Sequence, residues 1–338
     1  MNGRMMNNSK IANLLEEKLK NYPNFLSGYY YSLRASNKEL TSCREYITKA
    51  IHFLESINSN INDIDIKNIQ RDNVIKYMIN SQYKLDNSGN IKETSDSYQL
   101  MIWYSLKSFF NYLKKNNYIK ENYILEIDKP KNNDLERINK DRILLTEDDF
   151  NKILASVRKG VGDYHYSISK QIRERDLAIM VLFMMTGMRR TALTEINISD
   201  INFETNMLNV IDKGNKLQEY YLNDSVINIL KEWIERRTKI NNIIDHEALF
   251  ISNNGKRMTS RSVYNVVEKY CEDALGYKVS PHKLRAGFCS IMYKETGDIE
   301  KVRRMVGHAN ISTTQRYIVT DNKERMESSA IMGSKLKL

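Results

Sequence analysis

The 338-residue chain carries 52 Lys and Arg against 42 Asp and Glu, a formal charge of +10, with 41% hydrophobic and 28% charged residues. That is too apolar for a disordered chain, and a length of about two domains at ~150 residues each buries cores without disulfide or metal staples. The cysteines (Cys43, Cys271, Cys289) are widely spaced with no CxxC pair, MNGRMMNNSK has no signal-peptide core, and the longest uncharged apolar run is 177–185. Disulfide frameworks, zinc fingers, secretion and membrane spans are thereby excluded, and a reducing cytoplasm is expected. The positive surplus fits a polyanion such as nucleic acid and equally a plain soluble surface.

In chain order, 1–19 reads as a polar N-terminal extension. Helical apolar periodicity follows at 25–33, 38–54, 71–83 and 97–113, with Ser36 or Asn37 available to cap the second of these. The Asp-, Asn-, Ser- and Gly-rich stretch 85–94 reads as a loop. These elements predict a helical domain over 20–126. The charged, Pro130-containing stretch 127–143 has linker composition, and a second domain is expected over 144–320 with a tail at 321–338. Thr146 followed by Glu147, Asp148 and Asp149 opens its first helix. After a helix at 175–185, three strand-like pieces at 200–203, 207–211 and 218–222 are separated by turns. Helices return at 225–237, 260–274, 280–296, 299–306 and from 312. The fold class is mainly α with a small antiparallel β-sheet.

Four segments stand out. In Thr186-Gly187-Met188-Arg189-Arg190 an apolar helix ends at glycine and delivers arginine; alone, such an arginine is commonly a solvated surface residue. Asp212-Lys213-Gly214-Asn215-Lys216 is a hairpin tip with lysine at each end, a frequent solubility device. Ser280-Pro281-His282-Lys283-Leu284-Arg285 is a strong helix start that sets His282 and Arg285 as i, i+3 neighbours at the anion-favouring end. A carbonyl-bonded histidine and a surface ion pair would explain them as well. In Gly307 to Tyr317, Gly307 closes one helix, Ser312 and Gln315 form a capping box, and Tyr317 falls in the second turn, where a packed core tyrosine is the ordinary reading. His282 and His308 are far apart in sequence with no other ligand candidates beside them, which argues against a metal.

Together these residues fit one reaction, transesterification of a DNA phosphodiester. Arg189 and Arg285 supply two guanidinium forks for the non-bridging oxygens. Lys213 protonates the leaving sugar oxygen, His282 takes or shares the tyrosine proton, His308 adds a hydrogen bond, and Tyr317 is the covalent carrier. The phosphotyrosine stores the bond energy, so neither ATP nor another cofactor is required.

The four segments resemble those of the tyrosine recombinase (phage integrase) family: TGMRR its TGLR, DKGNK its GKGNK, PHKLR its HxLR, and GHANISTTQRY its LGHxxxxTTxxY. The resemblance implies a two-domain, C-shaped clamp, with 20–126 a helical core-binding (SAM-like) domain and 144–320 the catalytic domain. It implies cleavage through a 3′-phosphotyrosine and a Holliday junction, on inverted-repeat core sites in double-stranded DNA. It further implies a homo-tetramer on DNA whose tail 321–338 packs in trans, and it leaves room for an accessory directionality protein. Xer-type resolution and movement of a mobile element both fit; the short segment before the helical domain is expected to exclude an arm-binding domain. Arg261 and Lys283 are candidate DNA-backbone contacts. One position departs: where the family often has an acid three residues after the first arginine, this chain has Ala192, which leaves the support of Arg189 unassigned. A type IB topoisomerase, a non-catalytic DNA-binding protein of the same fold and a helical adaptor with coincidental motifs are the rival readings.

Overall fold

A computed structural model describes residues 3–86, 88–131, 144–161, 166–212, 216–308 and 310–315. The expected linker from 132 to 143, Lys213, Tyr317 and the tail 321–338 lie outside the described residues. The chain divides into two compact units, Met1–Arg142 and Ile143–Leu338.

In the first unit α1 (Gly3–Leu19), α2 (Asn24–Ala35), α3 (Leu40–Glu55), α4 (Arg71–Asn80) and α5 (Asp96–Lys115) enclose one apolar core. The α5 residues Leu106, Phe109, Phe110 and Leu113 are fully buried and repeat at helical period. Ser95 caps α5 by accepting from the Tyr98 N–H, and Lys114 and Lys115 meet the negative end of its dipole.

Three local features differ from the sequence reading. The expected extension is not merely polar: its residues 3–19 form α1, and Leu15 and Leu19 are buried in the core. Those two leucines, one turn apart among charged neighbours, make too sparse a stripe to register as amphipathic. Helix α3 starts after Glu39, with no side-chain cap, because Asn37 adopts a left-handed φ of 56° and Ser36 bonds back to Leu33 to close α2. The expected helix 71–83 stops at Asn80, and a short antiparallel hairpin of β1 (Tyr83–Leu85) and β2 (Ile91–Glu93) extends into the expected loop 85–94. Its strands are exposed throughout, so no alternation marks them. The Asp86 carboxylate closes the turn by accepting the Ser88 and Asn90 N–H groups.

The second unit opens with α6 (Glu147–Lys159), where Thr146 and Asp149 exchange the two bonds of a capping box. Helix α7 (Tyr166–Thr186) carries the uncharged run 177–185 through the core, with Ile179, Met180, Leu182 and Phe183 fully buried. Among the described residues no helix is long and apolar enough to cross a membrane. After α8 (Arg190–Glu195) comes an antiparallel meander of β3 (Ile201–Asn202), β4 (Met207–Asp212) and β5 (Lys216–Tyr221), in that spatial order. In β4, Leu208, Val210 and Asp212 are buried while Asn209 and Ile211 face out. The ladder between β4 and β5 ends with Asp212 opposite Lys216. Helices α9 (Asp224–Thr238), α10 (Ser260–Leu275), α11 (Pro281–Thr296), α12 (Ile299–Val306) and α13 (Ile311–Gln315) complete the unit. The fully buried Trp233 of α9 donates from Nε1 to the Leu249 carbonyl at 2.8 Å.

The turn from α7 into α8 needs glycine. Gly187 has φ 58°, and a Cβ there would lie 2.5 Å from Phe288 Cδ1 on α11. Gly187→Ala is therefore expected to cost about 2–4 kcal/mol, from backbone strain plus overpacking. The check is a lower urea midpoint; an unchanged midpoint would mean that the Phe288 ring yields freely.

Candidate active site

Two arginines meet at one helix end. Arg189 sits at the N-cap of α8, directly after the Gly187 turn, and Arg285 lies in the second turn of α11. That helix begins with Ser280, which accepts the Lys283 N–H at 3.4 Å, and with Pro281. The Arg285 side chain is almost fully buried and donates from Nη1 to the Gly187 carbonyl and from Nη2 to the Val306 carbonyl, both at 2.7 Å. Arg189 donates from Nη2 to the next carbonyl, Gly307, at 3.4 Å, and its Nη1 forms an ion pair with the Asp212 carboxylate. Val306 and Gly307 are the last turn and cap of α12, where unpaired carbonyls attract cations. Gly307 itself has φ 66°, and a Cβ there would lie 2.5 Å from Gln218 Oε1.

His308 follows directly and is buried, with Nδ1 2.9 Å from the Thr314 hydroxyl of α13. Burial above all, and then the positive charge of Arg285 and Arg189, push its pKa down to about 3. The imidazole is therefore neutral at physiological pH. A buried tyrosine, Tyr220 of β5, also lies within the field of these arginines. Burial pushes its phenol up to about 12, so it stays protonated. Its hydroxyl has no hydrogen-bond partner among the described residues. Beside His308 opens a cleft of about 260 Å³ whose lining includes Lys216, Arg303 and Arg304.

The structure thus brings Arg189, Arg285 and His308 together. His282 is exposed on the first turn of α11, within electrostatic range of His308. Lys213 and Tyr317 lie outside the described residues. Of the two proposed DNA contacts, Lys283 is exposed, and Arg261 is exposed with its guanidinium 5.1 Å from the Tyr264 ring centre. Arg190, which the sequence reading passed over, sits 5.7 Å from the same ring.

Asp212 is the main residue the sequence reading missed. Its signal was present: β4 alternates, and an acid on the inward side of a strand calls for a cation. Ala192, where an acid was looked for, is buried in the apolar core of the unit.

The sequence profile of the phage integrase family matches residues 144–324. Tyrosine recombinase XerC of Caldanaerobacter subterraneus subsp. tengcongensis is 31% identical over 311 residues, covering 90% of this chain and 80% of the relative. The chain belongs to the phage integrase family of tyrosine recombinases. It is a site-specific recombinase that exchanges DNA strands. Among solved structures, the recombinase is similar to XerH bound to palindromic difH substrate, with a TM-score of 0.66 at 22% identity, over 88% of this chain and 82% of that one. It is also similar to a lambda integrase tetramer bound to a Holliday junction, with a TM-score of 0.61 at 16% identity, over 88% and 76%. These likenesses establish the shared fold.

A neutral buried His308 has a thermodynamic signature. Its folded pKa of about 3 lies below the value near 6.5 of an unfolded histidine. Between those limits the unfolded chain binds more protons, so this contribution to stability is complete above the unfolded value and is lost as pH falls. Acidification from pH 7 to 5 is expected to remove about 1–2 kcal/mol through this group. His308→Gln should flatten that part of the profile in urea unfolding at the two pH values. Identical slopes in variant and wild type would contradict the burial argument.

Proposed function

We propose that the residues of this site divide the strand-transfer chemistry as follows. Arg189 and Arg285 hold the non-bridging oxygens of the scissile phosphate, where charge grows in the transition state. Tyr317 attacks phosphorus through its hydroxyl oxygen, and His282 takes the proton. The bond from phosphorus to the 5′ sugar oxygen breaks, and Lys213 protonates that leaving oxygen. His308, neutral and accepting from the Thr314 hydroxyl at Nδ1, carries its proton on Nε2 and donates it in a hydrogen bond to the phosphate. The products are a 3′-phosphotyrosine and a free 5′-hydroxyl. Attack by the partner strand's 5′-hydroxyl reverses the steps and restores the diester, with a Holliday junction between the two rounds. Phosphodiester bonds are exchanged one for one, so no ATP enters.

The observation that carries this reading is the convergence of both guanidinium groups on adjacent carbonyls, Val306 and Gly307, beside a neutral imidazole. Such an array awaits an anion with two or more acceptor oxygens. The first unit, which contains the helical stretch 20–126, serves as the core-binding domain and adds phosphate contacts of its own. The substrate is double-stranded DNA with inverted-repeat core sites, bound by a tetramer in the cytoplasm. The task is Xer-type resolution or the integration and excision of a mobile element. Arg261 and Lys283 contribute backbone contacts, joined by Arg190.

The test is covalent capture on nicked duplexes drawn from a bacterial DNA library, followed by denaturation and sequencing of protein-linked DNA. Wild type is expected to yield 3′-linked adducts on one inverted-repeat sequence. Tyr317→Phe should yield none, whereas Tyr220→Phe should keep them. Adduct formation by Tyr317→Phe would overturn the assignment of the nucleophile. DNA affinity of both proteins should fall steeply with salt, as phosphate contacts require.

A further inference from the structure

The ion pair between Arg189 and Asp212 joins a strand end to the helix start that presents the arginine. Asp212 is 6% exposed, and its backbone is held in the β4–β5 ladder opposite Lys216. Arg189 is 29% exposed, so the carboxylate sits on the buried side of a guanidinium that also reaches toward solvent. The arginine has five N–H donors. Asp212 and the Gly307 carbonyl engage Nη1 and Nη2 in the described bonds, and the fork has donors enough for a further acceptor. Helix α8 supplies no acid at the position that would meet Arg189 one turn on, since Ala192 occupies it.

Charge balance gives the pair a purpose. Arg285 bonds to Gly187, two residues before Arg189, so two guanidinium groups are held in close quarters in a partly dry site. Like charges repel strongly there, and a carboxylate fixed beneath one of them lowers that repulsion. A carboxylate on Nη1 also sets the plane of the guanidinium, because the fork is rigid. The next residue along the chain after Asp212 is Lys213.

We propose that Asp212 is the positioning residue for Arg189. Its carboxylate orients the guanidinium toward the scissile phosphate and ties it to the strand end from which the chain enters Lys213. The clamp is thereby referenced to the end of β4, and the support that Ala192 cannot provide comes from a different element. This inference rests on the reading of Arg189 as a phosphate clamp.

The experiment is single-turnover cleavage of a nicked duplex carrying the captured site, by the full chain at saturating DNA. Asp212→Asn keeps the shape and removes the charge. It is expected to slow cleavage about 10–100-fold, the usual consequence of losing a group that orients another, while DNA affinity stays within about 2-fold of wild type. Asp212→Glu should recover a large part of the rate. In an Arg189→Lys background Asp212→Asn should cause little further loss, since both act through one guanidinium. Thermal melting of each variant separates slow chemistry from partial unfolding.

Three results would each overturn the proposal: cleavage by Asp212→Asn at the wild-type rate, faster cleavage (the carboxylate then competes with phosphate for Arg189), or an equal loss in the Arg189→Lys background. A wild-type protein that forms no Tyr317 adduct would remove the functional reading beneath it, and the inference with it. A loss confined to Asp212→Asn leaves that reading intact.

Discussion

The last turn of α12 is the point on which this site depends. Its carbonyls at Val306 and Gly307 accept Arg285 and Arg189, which arrive from different helices of the second unit. A buried guanidinium without partners would cost far more than the fold could offset. Two backbone carbonyls satisfy Arg285 without neutralising it, because a carbonyl accepts a hydrogen bond but carries no net charge. The result is a guanidinium that is almost dry and fixed in direction.

That choice of partner matters for phosphate chemistry. A site that paired each arginine with a carboxylate would be neutral before substrate arrived, and phosphate would have to displace the acids. Here Asp212 pairs with Arg189, and Arg285 donates to the Gly187 and Val306 carbonyls. The two guanidinium groups are held in place by packing and these bonds, and fixed charges of this kind act most strongly on a bound anion. The same field acts on the neighbours: it helps to keep His308 neutral, while burial keeps Tyr220 protonated. Neither side chain adds a charge of its own to the cluster.

Much of the local architecture was legible before any coordinates. The caps at Thr146, Ser280 and Gly307, and the burial of 178–184, follow from residue types and spacing. What escaped had a common cause. Helix α1 presents two leucines as its buried face, and the exposed hairpin β1–β2 shows no alternation, so each falls below the threshold at which periodicity is visible. The α3 start was misread because Asn37, a good cap by residue type, is needed in a left-handed turn. Asp212 was passed over because a single acid beside lysines reads as hairpin polarity until its neighbours Leu208 and Val210 are seen to face inward with it.

The sequence by itself determined most of the helices, the β3–β5 meander and the glycine turns that deliver Arg189 and His308. These are matters of residues a few positions apart, where capping, left-handed backbone and strand alternation act over one turn or one hairpin. Only the tertiary structure decided which side chains meet, that Arg285 grips carbonyls while Arg189 has a carboxylate, and that the carboxylate comes from β4 and not from α8. The reason is range: a charge has no intrinsic partner, and its neighbour is chosen by whichever distant segment the packed core places beside it.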